Sequence, residues 1–230
     1  LTSLKYDSFE GCGIEAYTVA EGGVFSLKTG KDGKGTFVCS DSGATVIIGL
    51  SSEGAVDFTD TEIKTVDYYA FRNSTVTSLN LSGVEHVGQQ AFYNKTSLSS
   101  ITWGTTLKSI DEQAFYRAAV TSVELPESVI AIAYSAFRRM DTSENAITTF
   151  TIGGKSGSDT DQPTGWYKLT EKTTWQGYIT ETPTSITATD TIVSLPVSGS
   201  TETVITTIQN AACDNNSSSG SGYYYRLVTN

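Results

Sequence analysis

The sequence predicts a β-rich solenoid of about four to five stacked coils, with a parallel β-sheet along one side. The first observation is an Ala-Phe dipeptide whose phenylalanines, Phe71, Phe92, Phe115 and Phe137, are 21, 23 and 22 residues apart. The second is a β-branched residue five positions before each phenylalanine. The third is a pair of apolar residues, separated by one residue, that falls in each interval. Because all three columns share one period, the middle of the chain is a repeat.

Each unit of the repeat predicts a short strand, a turn and a corner. The apolar pairs alternate with polar residues, so both apolar side chains of a pair point to the inner face of a strand. The pairs are Val56/Phe58, Leu79/Leu81, Ile101/Trp103, Val123/Leu125 and Phe150/Ile152, and the β-branched column is Val66, Val87, Ile110 and Ile132. The β-branched residue provides a second apolar contact before the Ala-Phe corner. Since one unit cannot bury these side chains alone, neighbouring units must stack.

Residues 1–52 precede the repeat and predict an N-terminal β cap. Residues 24–27 and 36–38 predict the two strands of a hairpin around the Asp32-Gly33 turn. Residues 46–48 predict one more strand. The repeat region would therefore begin against a small antiparallel unit.

The three cysteines do not form a motif. Cys12, Cys39 and Cys213 are too far apart in sequence for a Cys-x-x-Cys metal or redox site. Two interpretations stay open: a Cys12–Cys39 disulfide with Cys213 unpaired, and three buried thiols that act as small apolar residues. We favour the buried thiols.

The C-terminal part of the chain predicts an ending for the array and a tail. The solenoid occupies residues 53–180, which include an aromatic closing segment with Trp166, Trp175 and Tyr178 to cover the exposed apolar end. Residues 181–230 are rich in Ser and Thr, and predict a β tail or a small separate β-module. Its strand-like runs are residues 192–195, 204–208 and 223–228, and residues 214–222 predict a loop.

The repeat resembles a known family. Residues 79–101 are similar to one unit of the BspA-like leucine-rich repeat, which is found mainly in bacterial surface proteins, and residues 123–137 match that unit together with its proline, Pro126. The resemblance covers about residues 53 to 155. The family's cysteine column is occupied here by Ser74, Lys95, Ala118 and Met140, so no cysteine ladder is expected. The resemblance implies a leucine-rich-repeat solenoid, and adhesion to a host protein or matrix as the class of activity.

Charge and hydropathy exclude several classes of partner. The chain has 15 Lys and Arg against 25 Asp and Glu, a formal net charge of −10, which argues against binding to nucleic acid or to an anionic membrane surface. The sequence contains no run of 18 apolar residues, so it predicts no transmembrane helix. We expect an extracellular or cell-surface location, with an export signal already removed from this chain.

No set of residues predicts catalysis or a cofactor. His86, the only histidine, falls between two predicted elements and is expected to be an exposed turn residue. It has no partners at the spacing of a catalytic triad or a zinc site. Asp159 and Asp161 share a loop, but the twelve-residue calcium loop is missing. Residues 30–35 lack the Ser/Thr and the helix pattern of a phosphate-binding loop. We expect a non-enzymatic protein without cofactor or metal.

Two surface columns predict a contact site. The two positions after each Ala-Phe are Arg72, Tyr93, Tyr116 and Arg138, followed by Asn73, Asn94, Arg117 and Arg139, and they hold four of the five arginines of an acidic chain. Stacked coils would place these side chains about 5 Å apart in one ridge. Tyr and Arg are enriched in binding hot spots. The candidate ligand-binding residues are therefore Arg72, Tyr93, Tyr116, Arg117, Arg138 and Arg139. The alternative is a solvated corner that only shields the phenylalanines.

The outward positions of the predicted strands form hydroxyl-rich columns, Ser78, Ser100, Ser122 and Thr149, with Asn80, Thr102, Glu124 and Thr151 beside them. We expect them to stabilise the sheet through cross-strand pairs, although they also suit a flat polar ligand. Together the sequence predicts an exported binding module for a protein or a glycan. The alternative is a structural spacer or assembly segment of a larger surface protein without a ligand. The ligand and the oligomeric state are left open.

Overall fold

The computed structural model describes residues 4–5, 7–8, 16–40, 43–51, 54–139, 147–161, 163, 166–169, 192–194, 203–213 and 223–226. A short 3-10 helix spans Lys31–Gly33, and one α-helix, α1, spans Val204–Cys213. The strands are β1 (Ser26–Thr29), β2 (Thr36–Ser40), β3 (Thr45–Leu50), β4 (Ala55–Asp57), β5 (Thr65–Val66), β6 (Ser78–Asn80), β7 (His86–Val87), β8 (Ser100–Thr102), β9 (Ser109–Ile110), β10 (Ser122–Leu125), β11 (Ala131–Ala133), β12 (Thr149–Ile152), β13 (Trp166–Leu169), β14 (Ile192–Ser194) and β15 (Tyr223–Arg226). Among the described residues, no helix has the length and apolar character required to cross a bilayer.

Each coil of the solenoid contributes two strands, one on each of two sides of the molecule, and strands on the same side pair in parallel. β4, β6 and β8 are paired in register on one side. β5, β7, β9 and β11 are paired in register on another, with the β-branched column Val66, Val87, Ile110 and Ile132 aligned along it. Residues that the sequence predicted only as a second apolar contact therefore form a second sheet. The predicted solenoid with parallel pairing is confirmed.

The Ala-Phe corners form a further ladder of backbone hydrogen bonds. The N–H of Phe71, Phe92 and Phe115 donates to the alanine carbonyl of the next coil's corner at 3.1, 2.9 and 2.8 Å. The residue before each alanine has a left-handed backbone, with φ between 54° and 56° at Tyr69, Gln90, Gln113 and Ser135. Left-handed residues reverse the chain direction within few positions, so each coil turns sharply at its corner.

The corner phenylalanines stack along the axis of the solenoid. The ring centroids are 4.9 Å apart for Phe71–Phe92, and 5.4 Å apart for both Phe92–Phe115 and Phe115–Phe137. The planes of neighbouring rings differ by at most 17°. All four side chains are fully buried. This phenylalanine ladder is the core that stacking was predicted to build.

At the N-terminal end, β1, β2 and β3 are antiparallel neighbours, and β3 pairs in parallel with β5. The ring of Phe37 on β2 lies 4.8 Å from Phe58 and 6.0 Å from Phe71, so it covers the first coil. On β3, Gly49 lies so close to Phe71 that an added Cβ would be 2.2 Å from its ring. The outer face of this unit has a small core of its own, formed by Val38, Ile47 and Ile48.

Helix α1 lies where the sequence predicted a strand. Residues 204–208 are rich in β-branched residues, which favour strands. In the structure the Thr203 hydroxyl accepts a hydrogen bond from Thr206 N at 3.2 Å and caps the helix. Val204, Ile205, Ile208 and Ala212 are buried against the solenoid core, with the spacing of one helix face. The prediction of a strand was wrong because this packing outweighs a weak local preference.

The C-terminal end of α1 completes the hydrogen bonding of the last corner. Ser135 N donates to Ala211 O at 3.0 Å, and Phe137 N donates to Ala212 O at 2.8 Å. The last carbonyl groups of a helix accept no hydrogen bond from within the helix. They are therefore available to these N–H groups. α1 therefore takes the position that one more corner would have.

The long sheet continues beyond the last coil. β15 pairs antiparallel with β11, β13 pairs with β15, and β14 pairs with β13, so that ten strands form one sheet. Trp166 of the predicted closing segment is buried in the core. Trp175 and Tyr178 of that segment, and the predicted loop at 214–222, lie outside the described residues.

The other sheet is interrupted between the third and fourth coils. β4, β6 and β8 form one sheet, and β10 and β12 form another. At the interruption the indole of Trp103 makes edge contacts with Phe115 and Phe137, at centroid distances of 5.5 and 5.9 Å. The hydroxyl-rich columns are therefore divided between two sheets.

Candidate functional site

The candidate site is the row of side chains beside the phenylalanine ladder, which we call the tyrosine–arginine corner. It comprises Tyr69, Arg72, Tyr93, Asn94, Tyr116 and Arg117. The Tyr93 and Tyr116 rings are stacked with centroids 4.7 Å apart and planes 5° apart. Tyr69 meets Tyr93 edge-on at 5.8 Å, and the Arg72 guanidinium lies 4.9 Å from the centre of the Tyr69 ring. Such stacking and cation–π contacts hold long side chains in place.

The members of this corner differ in exposure. Arg72, Asn94 and Arg117 are exposed, and Tyr93 is half-buried. Tyr116, which was predicted as a surface residue, is only 9% exposed. One face of its ring is covered by the stacked ring of Tyr93 from the preceding coil. Tyr116 therefore supports the contact surface more than it contributes to it.

Arg138 and Arg139 lie at the C-terminal end of the row and are half-buried. Arg139 Nη1 donates to Val120 O at 3.3 Å, so this guanidinium is turned partly toward the protein. Arg138 contributes its carbonyl, which accepts a hydrogen bond from Arg117 N at 2.8 Å. The structure thus links Arg72, Tyr93 and Tyr116 through ring contacts that include Tyr69, and it links Arg117 to Arg138 through the backbone.

The backbone of the corner is itself constrained. Asn94 and Arg117 have positive φ values of 58° and 59°. Asn94 N donates to Tyr116 O at 2.8 Å, which continues the hydrogen-bond ladder into the surface row. A left-handed non-glycine residue costs about 1 kcal/mol or more and persists only where its surroundings hold it. The side chains are therefore presented by a backbone with little freedom.

Lys95 was noted in the sequence only as a departure from the family's cysteine column. It is 8% exposed, and Ser74 and Ala118 in the same column are also buried. Its Nζ donates to Arg72 O at 2.8 Å. Burial lowers the pKa of the Lys95 amine to about 8. One charged residue in a column whose other members are uncharged was the signal in the sequence that pointed to this site.

His86 is not the exposed turn residue that was predicted. It lies on β7, where Thr65 and Ser109 are its neighbours in register. Its Nδ1 and the Ser109 Oγ are hydrogen bonded at 2.8 Å, and the two residues are 5% and 2% exposed. Burial lowers the pKa of His86 to about 4, so the ring is neutral at pH 7. A Ser–His pair is typical of nucleophilic catalysis, but burial of both side chains keeps a substrate from reaching this one.

The described residues contain no group of three or more His, Cys, Asp or Glu side chains placed to hold a metal ion. Of the two loop carboxylates, Asp161 pairs with Lys155, and Asp159 accepts hydrogen bonds from the backbone and side chain of Ser156. These bonds lower the pKa of Asp159. Both carboxylates are therefore engaged by groups of their own loop.

Cys39 and Cys213 carry free thiols. Burial raises the pKa of Cys39 to about 11 and that of Cys213 to about 12, so neither is a thiolate at pH 7. Cys12, the partner of Cys39 in the disulfide left open by the sequence, lies outside the described residues.

These observations define the class of protein: a parallel solenoid whose stacked coils place surface side chains in regular columns. The family follows from comparison with known proteins. Residues 55–153 match the family model of the BspA-type leucine-rich repeat region in six copies. This segment belongs to that family. Regions of this type are typically found in bacterial surface proteins and typically serve as non-catalytic binding scaffolds. Comparison with curated proteins found no match, and comparison with solved structures found none either.

Proposed function

We propose that the solenoid is the binding module of an exported or cell-surface protein, and that it recognises a protein or glycan partner through the tyrosine–arginine corner. One observation supports this most: the exposed Arg72 and Arg117 flank a stack of tyrosine rings in a chain whose net charge is −10. A local cationic surface in an acidic protein favours partners with acidic or polar faces.

The physical reason is preorganisation. Binding costs free energy because side chains lose rotamer freedom, about 0.5–1.5 kcal/mol for each long side chain that is immobilised. Here the Arg72 guanidinium already lies over Tyr69, and Tyr93 is already stacked on Tyr116. Part of that cost is met on folding, so a partner gains more from each contact.

The test is a protein and glycan array probed with the purified chain. Arg72→Ala and Arg117→Ala, singly and together, should weaken binding of any partner found by tenfold or more in the double variant. Tyr116 is left unchanged because its removal would disturb the core. The matched control is Lys34→Ala with Lys64→Ala, which removes the same charge from exposed positions away from the corner.

Equal affinity of the corner variant and the wild type would refute the corner as the contact site. A similar loss in the lysine control would show that net charge, and not the corner, controls binding. If the intact chain binds nothing on either array, the spacer interpretation is favoured instead. Antibody labelling of intact producing cells tests the proposed surface location separately.

A further inference from the structure

A polar cleft of about 330 Å³ lies between the turns that follow the first two Ala-Phe corners. Its walls are residues 72–76 of one coil and residues 94–97 of the next. The lining residues carry two cations, two carboxamides, four hydroxyl groups and one valine, and none of them carries a carboxylate. One of the four hydroxyls, that of Ser74, is already bonded to Ser51. The lining is thus made almost entirely of groups that donate hydrogen bonds, in a protein that is acidic elsewhere.

Lys95 is the unusual member of this lining. Its ammonium group has three protons to donate, whereas Arg72 O, at 2.8 Å, is its one hydrogen-bond acceptor among the described residues. The residue is 92% buried, and a buried charge without a partner is costly. The lowered pKa of Lys95 has no contribution from a nearby carboxylate, and burial is its cause. An anion in the cleft would supply both the missing charge and the missing acceptors.

Arg72 is the second cation among the residues that line the cleft. It is exposed, but its guanidinium is held against the Tyr69 ring, which restricts where it points. A guanidinium binds a carboxylate through two parallel hydrogen bonds, which an ammonium cannot do. The pair Lys95 and Arg72 therefore suits a planar oxyanion.

The remainder of the lining indicates what the anion is attached to. At about 30 Å³ of liquid volume for each water, the cleft has room for roughly eleven waters, far more than a simple inorganic ion requires. Asn73 and Asn94 can donate and accept, as can the hydroxyls of Thr75 and Thr96. Such groups match a ligand that carries several hydroxyls of its own.

We propose that this cleft binds a uronic acid, a sugar whose carboxylate lies on Lys95 and Arg72 and whose hydroxyls face the carboxamide and hydroxyl side chains. The cleft adjoins the partner contact proposed above and shares Arg72 and Asn94 with it, but its buried cation, Lys95, belongs to the cleft alone. The free monosaccharide is expected to bind even if no macromolecular partner uses the corner, so the two proposals fail independently.

The experiment is an NMR titration of the ¹⁵N-labelled full chain at constant ionic strength and pH 7. D-glucuronate and D-galacturonate are the probes, and D-glucose and acetate are matched controls that lack the carboxylate or the hydroxyls. At least one uronic acid should give saturable shifts confined to the amides of residues 73–76 and 94–97, with a dissociation constant in the millimolar range. Each control should bind at least tenfold more weakly.

Two variants locate the anion. Lys95→Met keeps the apolar stem and removes the charge, and it should reduce uronate affinity at least tenfold. Arg72→Ala, at an exposed position, should reduce it severalfold even if Lys95→Met folds poorly. Lys64→Met removes an exposed cation elsewhere and should leave the affinity unchanged.

Three outcomes would overturn the assignment. One is the absence of saturable shifts at the cleft with either uronic acid. Another is unchanged uronate affinity in folded Lys95→Met or in Arg72→Ala. The third is acetate or glucose binding as tightly as the uronic acids, because then either the hydroxyl contacts or the charge would contribute nothing.

Discussion

Removal of the Phe92 ring is the sharpest test of the stacked core. Phe92 is fully buried and lies between two parallel rings, at 4.9 Å from Phe71 and 5.4 Å from Phe115. Replacement of a buried phenylalanine by alanine costs about 3–5 kcal/mol, because apolar contact is lost and a cavity remains. Two ring pairs are lost as well, each worth about 0.5–1.5 kcal/mol beyond buried area. We therefore expect Phe92→Ala to cost about 4–5 kcal/mol, at the upper end of the range.

The assay is equilibrium unfolding in urea, followed by far-UV circular dichroism and by tryptophan fluorescence. With a slope of about 2 kcal/mol/M, the expected loss moves the midpoint down by roughly 2 M. Leu27→Ala, at a position that is 41% exposed, is the control and should cost less than about 1 kcal/mol. A loss below about 1.5 kcal/mol in Phe92→Ala, with the slope unchanged, would refute the ladder as the main source of stability. Transitions that separate between the two probes would show that the coils unfold independently.

Two further predictions concern residues on either side of the ladder. Gly49→Ala places a Cβ 2.2 Å from the enclosed ring of Phe71. It should lower the free energy of unfolding, measured in urea, by about 1–3 kcal/mol. A variant as stable as the wild type would show that the Phe71 ring can move aside. The second prediction concerns His86, whose pKa is about 4 in the folded protein and 6.5 in the unfolded chain. The unfolded chain therefore binds the proton more tightly. Stability that His86 contributes above pH 6.5 is lost as the pH falls toward 4. The neutral His86 ring contributes as much as about 3 kcal/mol to the free energy of unfolding at neutral pH. Urea midpoints at pH 7 and pH 4.5 should therefore differ less in His86→Gln than in the wild type, and an equal difference in both proteins would contradict the buried neutral ring.

The repeat was predictable because its signals are local and recur. Each coil must bury the same few side chains, so the Ala-Phe dipeptide and the β-branched column return at nearly constant spacing. Phe92 and Phe115 stack because both occupy the same position in consecutive coils. The columns beside them were predicted for the same reason, and Tyr93 does lie against Tyr116.

Residues outside the period were harder to predict. Residues 204–208 have the composition of a strand, yet Ile205 and Ile208 pack on the last coil as part of a helix. The helix is stabilised by this packing and also by the N–H groups of the last corner, which donate to its last carbonyls. Those N–H groups belong to Ser135 and Phe137, which are about 70 positions away from Ile205 and Ile208 in sequence.

The candidate sites show the same division. His86 was predicted to be exposed because no local pattern distinguishes a turn from a two-residue strand, and its partner Ser109 is 23 positions away. Lys95 belonged to a column that the sequence could align, but only the stacked turns of two coils make a cleft around it. The exposure of Arg117 and the enclosure of Tyr116, adjacent in the chain, likewise follow from how the coils meet.

By itself, then, the sequence determined the solenoid, its family, its period and which side chains form its core. Periodic burial is a property of each unit and its nearest neighbours, so it is visible in the order of residues. Only the tertiary structure decided that the second apolar contact is a sheet, that a helix closes the last corner, and that Lys95 faces a cleft without a carboxylate. These features depend on which backbone and side-chain groups remain unpaired after the coils have stacked. That depends on contacts between residues that are far apart in the sequence.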